Sequence, residues 1–541
     1  MFNGKMVIKK PVNEPVKSYA PGSPEREELK KAIRELKSKE LEIPLIIGGK
    51  EVRTGNLAEC RPPHETDFLL GKYHKAGEKE VEMAIKAALE ARAIWAEVPW
   101  EARMSIFLKA AELLAGPWRY KLNAATMLCQ SKNPFQAEID SACELIDFWR
   151  FNPYYAMQLY EEQPDSGTAT WNYVEYRPLE GFIFAVTPFN FTSIAGNLPT
   201  APAMMGNVSL WKPASSAVYS AYMLMKLLRE AGLPDGVINF IPGPGSKVGP
   251  IVMGSKHLAG IHFTGSTAVF QNMWKTVGDN IDKYDTYPRI VGETGGKDFI
   301  FVHESANLEE TVTATIRGAF EYQGQKCSAA SRMYIPDNMW PEFRRRLLDD
   351  LNTIGMGTAE NFGNFLNAVI DKAAYDSIIE YIEYAKGSDD AEIIAGGGYD
   401  SEKGYFIQPT VIVAKTPDFR TMVEEIFGPV MTIYVYDADK YEETLELCDN
   451  TSPYALTGAI FGIDRQAINL AIVKLRHAAG NFYINDKPTG AVVGQQPFGG
   501  SRASGTNDKA GSKSNLMRWV SIRTIKETFI PPKDYRYPFL G

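Results

Sequence analysis

The sequence predicts an α/β protein built around two successive parallel sheets. From Tyr176 onwards, short apolar runs with a β-strand pattern alternate with segments of helical periodicity, and glycine-rich bends follow several of these runs. This βαβ alternation is typical of doubly wound sheets with helices on both faces. A chain of 541 residues also has room for two or three domains with sizeable cores.

Composition excludes several function classes. Hydrophobic residues make up 45% of the chain and charged residues 23%, and the formal net charge is −8 with no long basic run. An acidic chain without basic clusters is a poor match for nucleic acid or for an anionic membrane surface. No apolar run approaches the roughly 18 residues that a membrane-spanning helix needs. We therefore expect a small-molecule substrate, with neither nucleic acid nor a membrane as partner.

The cysteines and histidines indicate a reducing compartment and no metal. Five cysteines are scattered without CxxC pairs, and six histidines show no spacing typical of metal ligands. The first residues carry lysines but neither an apolar core nor an arginine-rich amphipathic pattern, so we expect no targeting segment. A cytoplasmic location is the first expectation, and the mitochondrial matrix is the alternative if a transit peptide has been removed.

The N-terminal part is predicted to be helical. Residues 1–45 are punctuated by proline and form an expected N-terminal extension, in which Ser23 caps a helix with Pro24 at its first position. Helical periodicity then covers about 78–150, and the last of three helices begins near residue 135. Glu144 lies in that helix among apolar residues, and by default such a carboxylate belongs to a solvated helix face.

The first sheet is predicted from four apolar runs and the helices between them. The predicted strands are Phe182–Val186, Val208–Trp211, Val237–Ile241 and Gly260–Phe263. The predicted helices are Ile194–Met205, Val218–Ala231 and one opened by Thr264–Gly265–Ser266.

A second α/β region is predicted from about 297 to 490. Its predicted strands are Phe299–Val302, Met333–Ile335, Tyr405–Ile412, Met431–Tyr436, Ala459–Phe461 and Asn481–Asn485. Near the C-terminus, Trp519–Ile525 alternates in polarity and predicts an edge strand that pairs with another subunit.

Three stretches carry residues suited to the oxidation of a carbonyl. Cys327 follows a glycine-broken polar run, Glu293 lies in a glycine-rich bend, and Asn190 follows an apolar strand. A thiol nucleophile, a carboxylate base and an amide donor are the groups needed to oxidise a carbonyl through a thioester. Taken singly, a cysteine is more often an inert buried side chain. That interpretation is kept for Cys60, Cys129, Cys143 and Cys448.

Six short motifs occur in order along the chain. They are Phe189–Asn190, Trp211–Lys212–Pro213, Phe263–Thr264–Gly265–Ser266, Glu293 with Gly295–Gly296–Lys297, Gly324–Gln325–Lys326–Cys327 and Glu425–Ile426–Phe427–Gly428–Pro429. With these motifs the chain resembles the NAD(P)-dependent aldehyde dehydrogenase family over most of its length. The resemblance implies that Cys327 is the nucleophile and that Glu293 activates the hydrolytic water. It also implies that Asn190 and the Cys327 backbone N–H stabilise the oxyanion.

Further stretches narrow the resemblance to one branch of the family. They are Asn13–Glu14–Pro15, Gly22–Arg26, Ser193 with Gly196–Asn197, Phe320–Glu321–Tyr322, Gly494–Gly500 and Arg502–Lys509. The branch oxidises glutamate-γ-semialdehyde, which is in equilibrium with Δ1-pyrroline-5-carboxylate.

The resemblance also implies a domain organisation. It comprises a Rossmann-type NAD-binding domain, an α/β catalytic domain, a β oligomerisation arm, and a homodimer or higher homo-oligomer. The implied boundaries are 46–155, 182–296 and 495–512 for the first domain, 297–494 for the second, and 156–181 with 513–541 for the arm.

The implied cofactor is NAD. The resemblance places Lys212 on the adenosine ribose and Gly265–Ser266 beside the pyrophosphate at a helix N-terminus. It places Glu425 on the nicotinamide ribose, with Phe427 packed nearby. Ser215 stands where many NAD-preferring relatives carry glutamate, and a serine leaves more room for a 2′-phosphate.

The implied substrate residues surround the aliphatic chain and the α-carboxylate of the semialdehyde. Ser328 and Gly490–Ala491 match the positions that hold the carboxylate, the last through a backbone N–H. Phe191 and Phe498 match aromatic walls, and Glu144 matches a carboxylate that lines the pocket.

Three alternatives remain open at this stage. One is a dehydrogenase of another carboxylated aldehyde, such as succinylglutamate semialdehyde. Another is an acylating dehydrogenase that passes the thioester to coenzyme A, against which Glu293 argues. The third is a non-catalytic structural relative, which would be expected to have lost Cys327, Asn190 or Glu293.

Overall fold

Two seven-stranded sheets with helices packed on them organise the fold. The structure is a computed structural model that describes residue 4 and residues 6–541. The larger apolar core surrounds the first sheet, and two further cores lie on the two faces of the second sheet.

The part of the chain up to Glu293 holds eleven strands and ten α-helices among its described residues. The strands are β1 Leu41–Ile43, β2 Leu45–Ile47, β3 Lys50–Val52, β4 Leu57–Cys60, β5 Gly71–His74, β6 Thr170–Pro178, β7 Phe182–Val186, β8 Ser209–Lys212, β9 Ile238–Phe240, β10 Leu258–Thr264 and β11 Arg289–Glu293. The helices are α1 Pro24–Lys37, α2 Glu78–Trp95, α3 Trp100–Ala115, α4 Arg119–Gln130, α5 Pro134–Ala137, α6 Glu144–Glu161, α7 Thr192–Met204, α8 Val218–Ala231, α9 Gly245–Gly254 and α10 Thr267–Asp279. A π-helical segment, Glu138–Cys143, joins α5 to α6.

The part after Glu293 holds the remaining elements. The strands are β12 Asp298–Val302, β13 Ala330–Pro336, β14 Ala391–Ala395, β15 Tyr399–Asp400, β16 Phe406–Ile407, β17 Thr410–Ala414, β18 Val430–Tyr436, β19 Tyr454–Ala455, β20 Thr457–Phe461, β21 Asn481–Ile484, β22 Ser501–Arg502 and β23 Val520–Thr528. The helices are α11 Leu308–Phe320, α12 Trp340–Leu351, α13 Lys372–Lys386, α14 Arg420–Val423, α15 Tyr441–Asn450, α16 Arg465–Lys474 and α17 Lys513–Met517.

The first sheet has the strand order of a dinucleotide-binding fold. Its order is β11-β10-β7-β8-β9-β2-β3, and the five strands from β11 to β9 are parallel. If β7 is counted as strand 1, these five strands have the doubly wound order 3-2-1-4-5. The order of the strands reverses between β7 and β10. Ligands of such sheets bind outside the carboxyl ends of the strands at this reversal point.

The second sheet is parallel except for its first strand, with the order β14-β17-β18-β13-β12-β20-β21. Strand β12 shows why the sheet is buried on both faces. Phe299 and Phe301 belong to one core and Ile300 and Val302 to the other, since successive side chains point to opposite faces. An unbroken apolar run is therefore what the sequence needs at this position.

The predicted α/β class is confirmed, with one strand broken. The segment expected as a single strand, Tyr405–Ile412, forms β16, which pairs with β15, and β17, which enters the main sheet. Pro409 separates them because proline has no N–H to donate to a ladder. Short strands β2 and β3 extend the first sheet and were not anticipated.

A two-stranded ribbon protrudes near the C-terminus. Strand β23 pairs antiparallel with β6 over nine residue pairs, from Val520–Pro178 to Thr528–Thr170. The ribbon carries exposed apolar side chains, among them Trp171 and Ile522. The strand expected at Trp519–Ile525 is thus present, and its partner within the chain is β6.

Among the described residues, no helix is both long and apolar enough to cross a membrane.

Candidate active site

The carboxyl edge of the first sheet brings together residues from four strands. Lys212 ends β8, Glu293 ends β11, Asn190 follows β7, and Gly265–Ser266 joins β10 to α10. These positions are far apart in sequence, but parallel strands carry their carboxyl ends to one edge. Glu293 is the last residue of a strand, whereas the sequence placed it in a bend.

Cys327 is presented by a sharply turned loop between α11 and β13. Tyr322, Gln323 and Gly324 have φ values of 52°, 55° and 64°, all in the left-handed region. A Cβ on Gly324 would collide with the Gly428 carbonyl, so glycine is required there. Strained non-glycine residues cost about 1–3 kcal/mol each and persist where neighbours fix them.

Buried hydrogen bonds provide that fixation. The Gln323 side-chain amide donates to the carbonyls of Ser131, at 3.1 Å, and Ala368, at 2.7 Å. The Gln325 side-chain oxygen accepts from the Ile370 N–H at 2.8 Å. The loop that carries the thiol is therefore held on both sides of Gly324.

Cys327 is buried, with 8% of the residue exposed. Burial raises its pKa well above the ordinary range, and the nearby carboxyls of Glu293 and Asp298 raise it further. The sulfur thus needs a proton acceptor before it can act as a nucleophile, because the thiolate is the reactive form.

Asn190 lies beside this loop. Its side chain is buried, and its Nδ2 donates to the Gln325 carbonyl at 3.0 Å. The bond holds the Asn190 amide next to the loop, because its partner Gln325 lies two residues before Cys327 in the chain. An amide nitrogen has two N–H groups, so the other can serve an oxyanion formed at the sulfur-bound carbon.

The carboxyl of Glu293 has a pKa raised to about 8, first by burial and then by the neighbouring Glu144, while Lys509 lowers it. Glu293 lines a small cavity of about 30 Å³, with Glu144, Phe498, Asp508 and Lys509 among the other residues of its wall. That volume is enough for one water molecule. The position is suited to a general base, which works best with a pKa near the operating pH.

A second cavity, of about 400 Å³, opens onto the thiol. Seven of its wall residues are among those predicted to bind substrate or to react: Glu144, Phe191, Cys327, Ser328, Gly490, Ala491 and Phe498. The size matches an amino acid derivative of a few carbons and is within the usual range for small-molecule sites.

One wall of this cavity links the thiol segment to a distant turn. The Ser328 hydroxyl is 2.8 Å from the Thr489 hydroxyl, and both side chains are buried. The next residue, Gly490, has φ 97°, a backbone conformation that favours glycine. Thr489 has no role predicted from the sequence, although it directly precedes a residue that does.

Glu144 does not lie on a solvated helix face, so that default interpretation is wrong. It lines both cavities, and its carboxyl accepts a hydrogen bond from the Ser193 hydroxyl at 2.5 Å. Burial raises its pKa to about 8, and Asp140 adds to the shift. The helix turns this face inward because α6 packs against α7, which carries Ser193.

A buried charge cluster behind the cavity was missed. Lys132 Nζ lies 2.7 Å from Asp140 Oδ2 and sits 4.6 Å from the ring centre of Phe191 and 4.4 Å from that of Tyr322. Burial lowers the pKa of Lys132 to about 8. Lys326, which adjoins Cys327 in the sequence, lies 3.9 Å from the same carboxylate. Only Lys326 lay within a motif that could have pointed to the cluster.

The residues predicted to bind the adenosine and pyrophosphate lie along one edge. The Lys212 amine donates to the Pro213 carbonyl at 3.1 Å, and burial lowers its pKa to about 8. Ser266 is the N-cap of the 13-residue helix α10, and its hydroxyl accepts from the Val269 N–H at 3.4 Å. Such a helix N-terminus favours a phosphate. Ser215 is exposed, which leaves space beyond the end of β8.

Glu425 and Phe427 approach the same region from the second sheet. Glu425 Oε1 accepts from the Gly296 N–H at 2.9 Å, and burial raises the pKa of its carboxyl to about 7. A Cβ on Gly295 would collide with this carboxylate. Phe427 packs edge-on against Phe189 with ring centres 5.8 Å apart.

Among the described residues, no group of three or more His, Cys, Asp or Glu side chains could hold a metal ion.

Comparison with known proteins identifies the same architecture elsewhere. Residues 52–525 match the aldehyde dehydrogenase family. The mitochondrial Δ1-pyrroline-5-carboxylate dehydrogenase of Dictyostelium discoideum is 53% identical over 98% of this chain and 96% of its own length. That of Homo sapiens is 49% identical over 98% of this chain and 94% of its own length.

Solved structures agree closely. The Δ1-pyrroline-5-carboxylate dehydrogenase of Mycobacterium tuberculosis bound with NAD superposes with a TM-score of 0.97 at 49% identity, covering 100% of both chains. The 1-pyrroline-5-carboxylate dehydrogenase from Thermus with bound NAD gives a TM-score of 0.91 at 32% identity, covering 97% of this chain and 100% of its own.

Proposed function

The chain belongs to the aldehyde dehydrogenase family, and we propose that it oxidises L-glutamate-γ-semialdehyde to L-glutamate with NAD, the second step of proline catabolism. One observation carries the proposal for the substrate. Cys327 and the turn at Gly490 line a single cavity, so an aldehyde and a carboxylate a few carbons apart can be bound together. The relatives named for this reaction support it.

The first step is addition of the Cys327 sulfur to the aldehyde carbon. The carbonyl oxygen gains the negative charge, and the Asn190 amide with the Cys327 backbone N–H stabilises it. Each such donor contributes about 3–4 kcal/mol to the transition state in comparable sites. The thiol has to lose its proton first, and the carboxyls that raise its pKa also include an acceptor, Glu293.

Oxidation of the thiohemiacetal then leaves a thioester on Cys327. Bound NAD supplies the hydride acceptor for this step. Ser266 suits the pyrophosphate because it caps the helix that follows β10, which borders the reversal point of the first sheet. Lys212 suits the ribose because its buried amine ends β8, on the other side of β7. Glu425, fixed by the Gly296 N–H, fits the nicotinamide ribose. The exposed Ser215 leaves room for a 2′-phosphate, but NAD is the proposed cofactor.

Hydrolysis completes the reaction. Glu293 takes a proton from water, and the resulting hydroxide attacks the thioester carbon and releases glutamate and the Cys327 thiol. The water-sized cavity beside Glu293 supports this role. Glu144, which lines both cavities and accepts a hydrogen bond from the Ser193 hydroxyl, positions the substrate rather than reacts with it.

We further propose that the β6–β23 ribbon mediates homo-oligomerisation. Its exposed apolar side chains and its free strand edges are suited to pairing with another copy.

The five described cysteines are all free, which fits the reducing compartment that we expect. That compartment is the cytoplasm or, as the names of several relatives say of them, the mitochondrion.

Product identification tests the proposed function. The purified protein is given glutamate-γ-semialdehyde, succinylglutamate semialdehyde and propanal, each with NAD and with NADP. We expect glutamate as the product of the first, with the highest kcat/KM of the panel and with NAD as the better cofactor. A higher kcat/KM for the succinylated aldehyde, or turnover only with coenzyme A, would contradict the proposal.

A further inference from the structure

The N-terminal segment forms part of the wall of the substrate cavity. Asn13, Glu14 and Val16 line the cavity that holds Cys327 and Gly490. The sequence analysis placed this segment in an N-terminal extension and used Asn13–Glu14–Pro15 for the family resemblance, but predicted no role for it in the site. Its contacts show that residues near the start of the chain meet a loop near its end, since Asn13 and Val493 are 480 positions apart.

Ion pairs fix the segment to the helices beneath it. The Glu14 carboxylate pairs with Arg119, at 2.5 Å, and with Arg150, at 2.6 Å. Farther along, the Tyr19 hydroxyl donates to Glu138 at 2.6 Å. Arg119, Glu138 and Tyr19 are buried, so the bond between Tyr19 and Glu138 is shielded from solvent. The segment is thus a rigid base from which Asn13 extends.

Asn13 uses its amide to join this base to the loop Thr489–Gln495. Its Nδ2 donates to the Val493 carbonyl at 2.7 Å and to Asp147 Oδ2 at 2.8 Å, and its Oδ1 accepts from Gln495 Nε2 at 2.9 Å. Asp147 also accepts from the Glu14 N–H at 2.8 Å. One side chain therefore connects the N-terminal segment, helix α6 and the loop.

The loop depends on such contacts for a single conformation. Gly490 and Gly494 both have positive φ values, 97° and 84°, and glycine is free to leave these conformations. On one side of the loop, the Val493 side chain packs against Phe148 and Phe151. On the other side, the Val493 carbonyl is held by Asn13. Without the Asn13 amide, Val493 would be held only by the packing of its side chain against Phe148 and Phe151.

We propose that Asn13 is a positioning residue for substrate specificity, which holds the Thr489–Gln495 loop so that the backbone at Gly490–Ala491 can bind the substrate carboxylate. The inference rests on the proposed function, since it assigns the carboxylate to this loop. An aldehyde without a carboxylate makes no use of the loop and should be indifferent to Asn13.

The test compares Asn13→Ala with the wild-type protein on the semialdehyde and on propanal. Asn13→Ala removes three hydrogen bonds, so we expect the KM for the semialdehyde to rise about ten-fold. We expect kcat to stay within about two-fold, and kcat/KM for propanal to be unchanged, because the thiol is untouched. Gln495→Ala, which removes one of the three bonds, should give a smaller rise. Val12→Ala, at a neighbouring residue that is 83% exposed, is the matched control.

Hydrogen exchange followed by mass spectrometry gives a readout that needs no substrate. In Asn13→Ala the amides of residues 489–495 should exchange faster, while those of 322–330 keep the wild-type rate. Equal losses on both aldehydes, or an unchanged KM together with unchanged exchange, would overturn the inference. If the wild-type protein makes no glutamate, the proposed function fails, and faster exchange in residues 489–495 would still support the tether.

Discussion

The side chain of Asn190 donates a hydrogen bond to the backbone carbonyl of Gln325 over 3.0 Å. This bond joins the first sheet to the loop of the second region that carries Cys327. It fixes the amide without the need for a substrate, so no reorganisation is required when charge develops on the oxygen. We propose that the Asn190 amide, held by this bond, is a preformed part of an oxyanion site.

Replacement of Asn190 by alanine should therefore slow the chemistry and spare cofactor binding. Removal of one oxyanion donor in comparable enzymes costs about 10²–10³-fold in kcat, and we expect a loss in this range. Steady-state kinetics give kcat, and NAD titration by fluorescence gives the dissociation constant. A loss below three-fold would remove Asn190 from the oxyanion site.

Cys327 should be the one essential thiol among the five cysteines. Cys327→Ala should abolish aldehyde oxidation while NAD still binds, because the substitution removes a reacting atom and little volume. Cys448→Ala is the matched control, since that thiol is fully buried in the core of the second sheet. Normal turnover by Cys327→Ala, or loss of turnover in a folded Cys448→Ala, would refute the assignment.

Glu293 should act mainly after hydride transfer. Glu293→Gln should slow hydrolysis of the thioester more than its formation, so a pre-steady-state burst of NADH should persist or become sharper. Stopped-flow absorbance measures the burst and the steady state in one experiment. If both vanish together, the carboxylate acts earlier, for instance in deprotonating Cys327.

The pKa of Glu293 predicts how activity depends on pH. Only the ionised carboxylate can accept a proton, and with a pKa of about 8 roughly a tenth of it is ionised at pH 7. Where hydrolysis limits turnover, kcat should rise as pH increases through about 8 and then level off. Because Glu144 contributes to the raised pKa, Glu144→Gln should move the rise to lower pH. A pH profile for propanal that is the same in both proteins would contradict this origin.

The sequence anticipated elements whose ends carry local signals. Helix α8 was predicted to the residue, because Gly232 follows it in a left-handed conformation with φ 100° and stops it. The apolar strands of both sheets carry a different local signal, because a strand that is buried on both faces needs an unbroken apolar run. Strand β3 was not predicted, because its three residues include the charged Lys50 and Glu51 and show no apolar run.

Local motifs led to some residues of the candidate site, whereas tertiary contacts alone bring in others. Glu293, Asn190 and Cys327 each stand in a recognisable local context. The bond from Asn13 to Val493 crosses 480 residues, and no local pattern encodes such a pairing. Lys132 is similar, since a buried lysine is recognisable only once Asp140 and the aromatic rings are known to surround it.

The last prediction concerns the far end of the aldehyde. Ser328 and Thr489 join the thiol segment to the turn at Gly490 through hydroxyls 2.8 Å apart. A hydroxyl and backbone N–H groups there can bind an α-carboxylate, and charge-assisted hydrogen bonds are worth about 1.5–3 kcal/mol each. Ser328→Ala should lower kcat/KM for the semialdehyde by about ten-fold or more, and much less for propanal.

Gly490→Val should have a larger effect in the same selective direction. Valine is strained at φ 97°, and its side chain would obstruct the approach of the carboxylate to the backbone. Measurement of both aldehydes with both variants separates recognition from scaffolding. Equal losses on propanal and on the semialdehyde would mean that these residues support the fold or Cys327, because a residue that binds the carboxylate has nothing to lose with a substrate that lacks one.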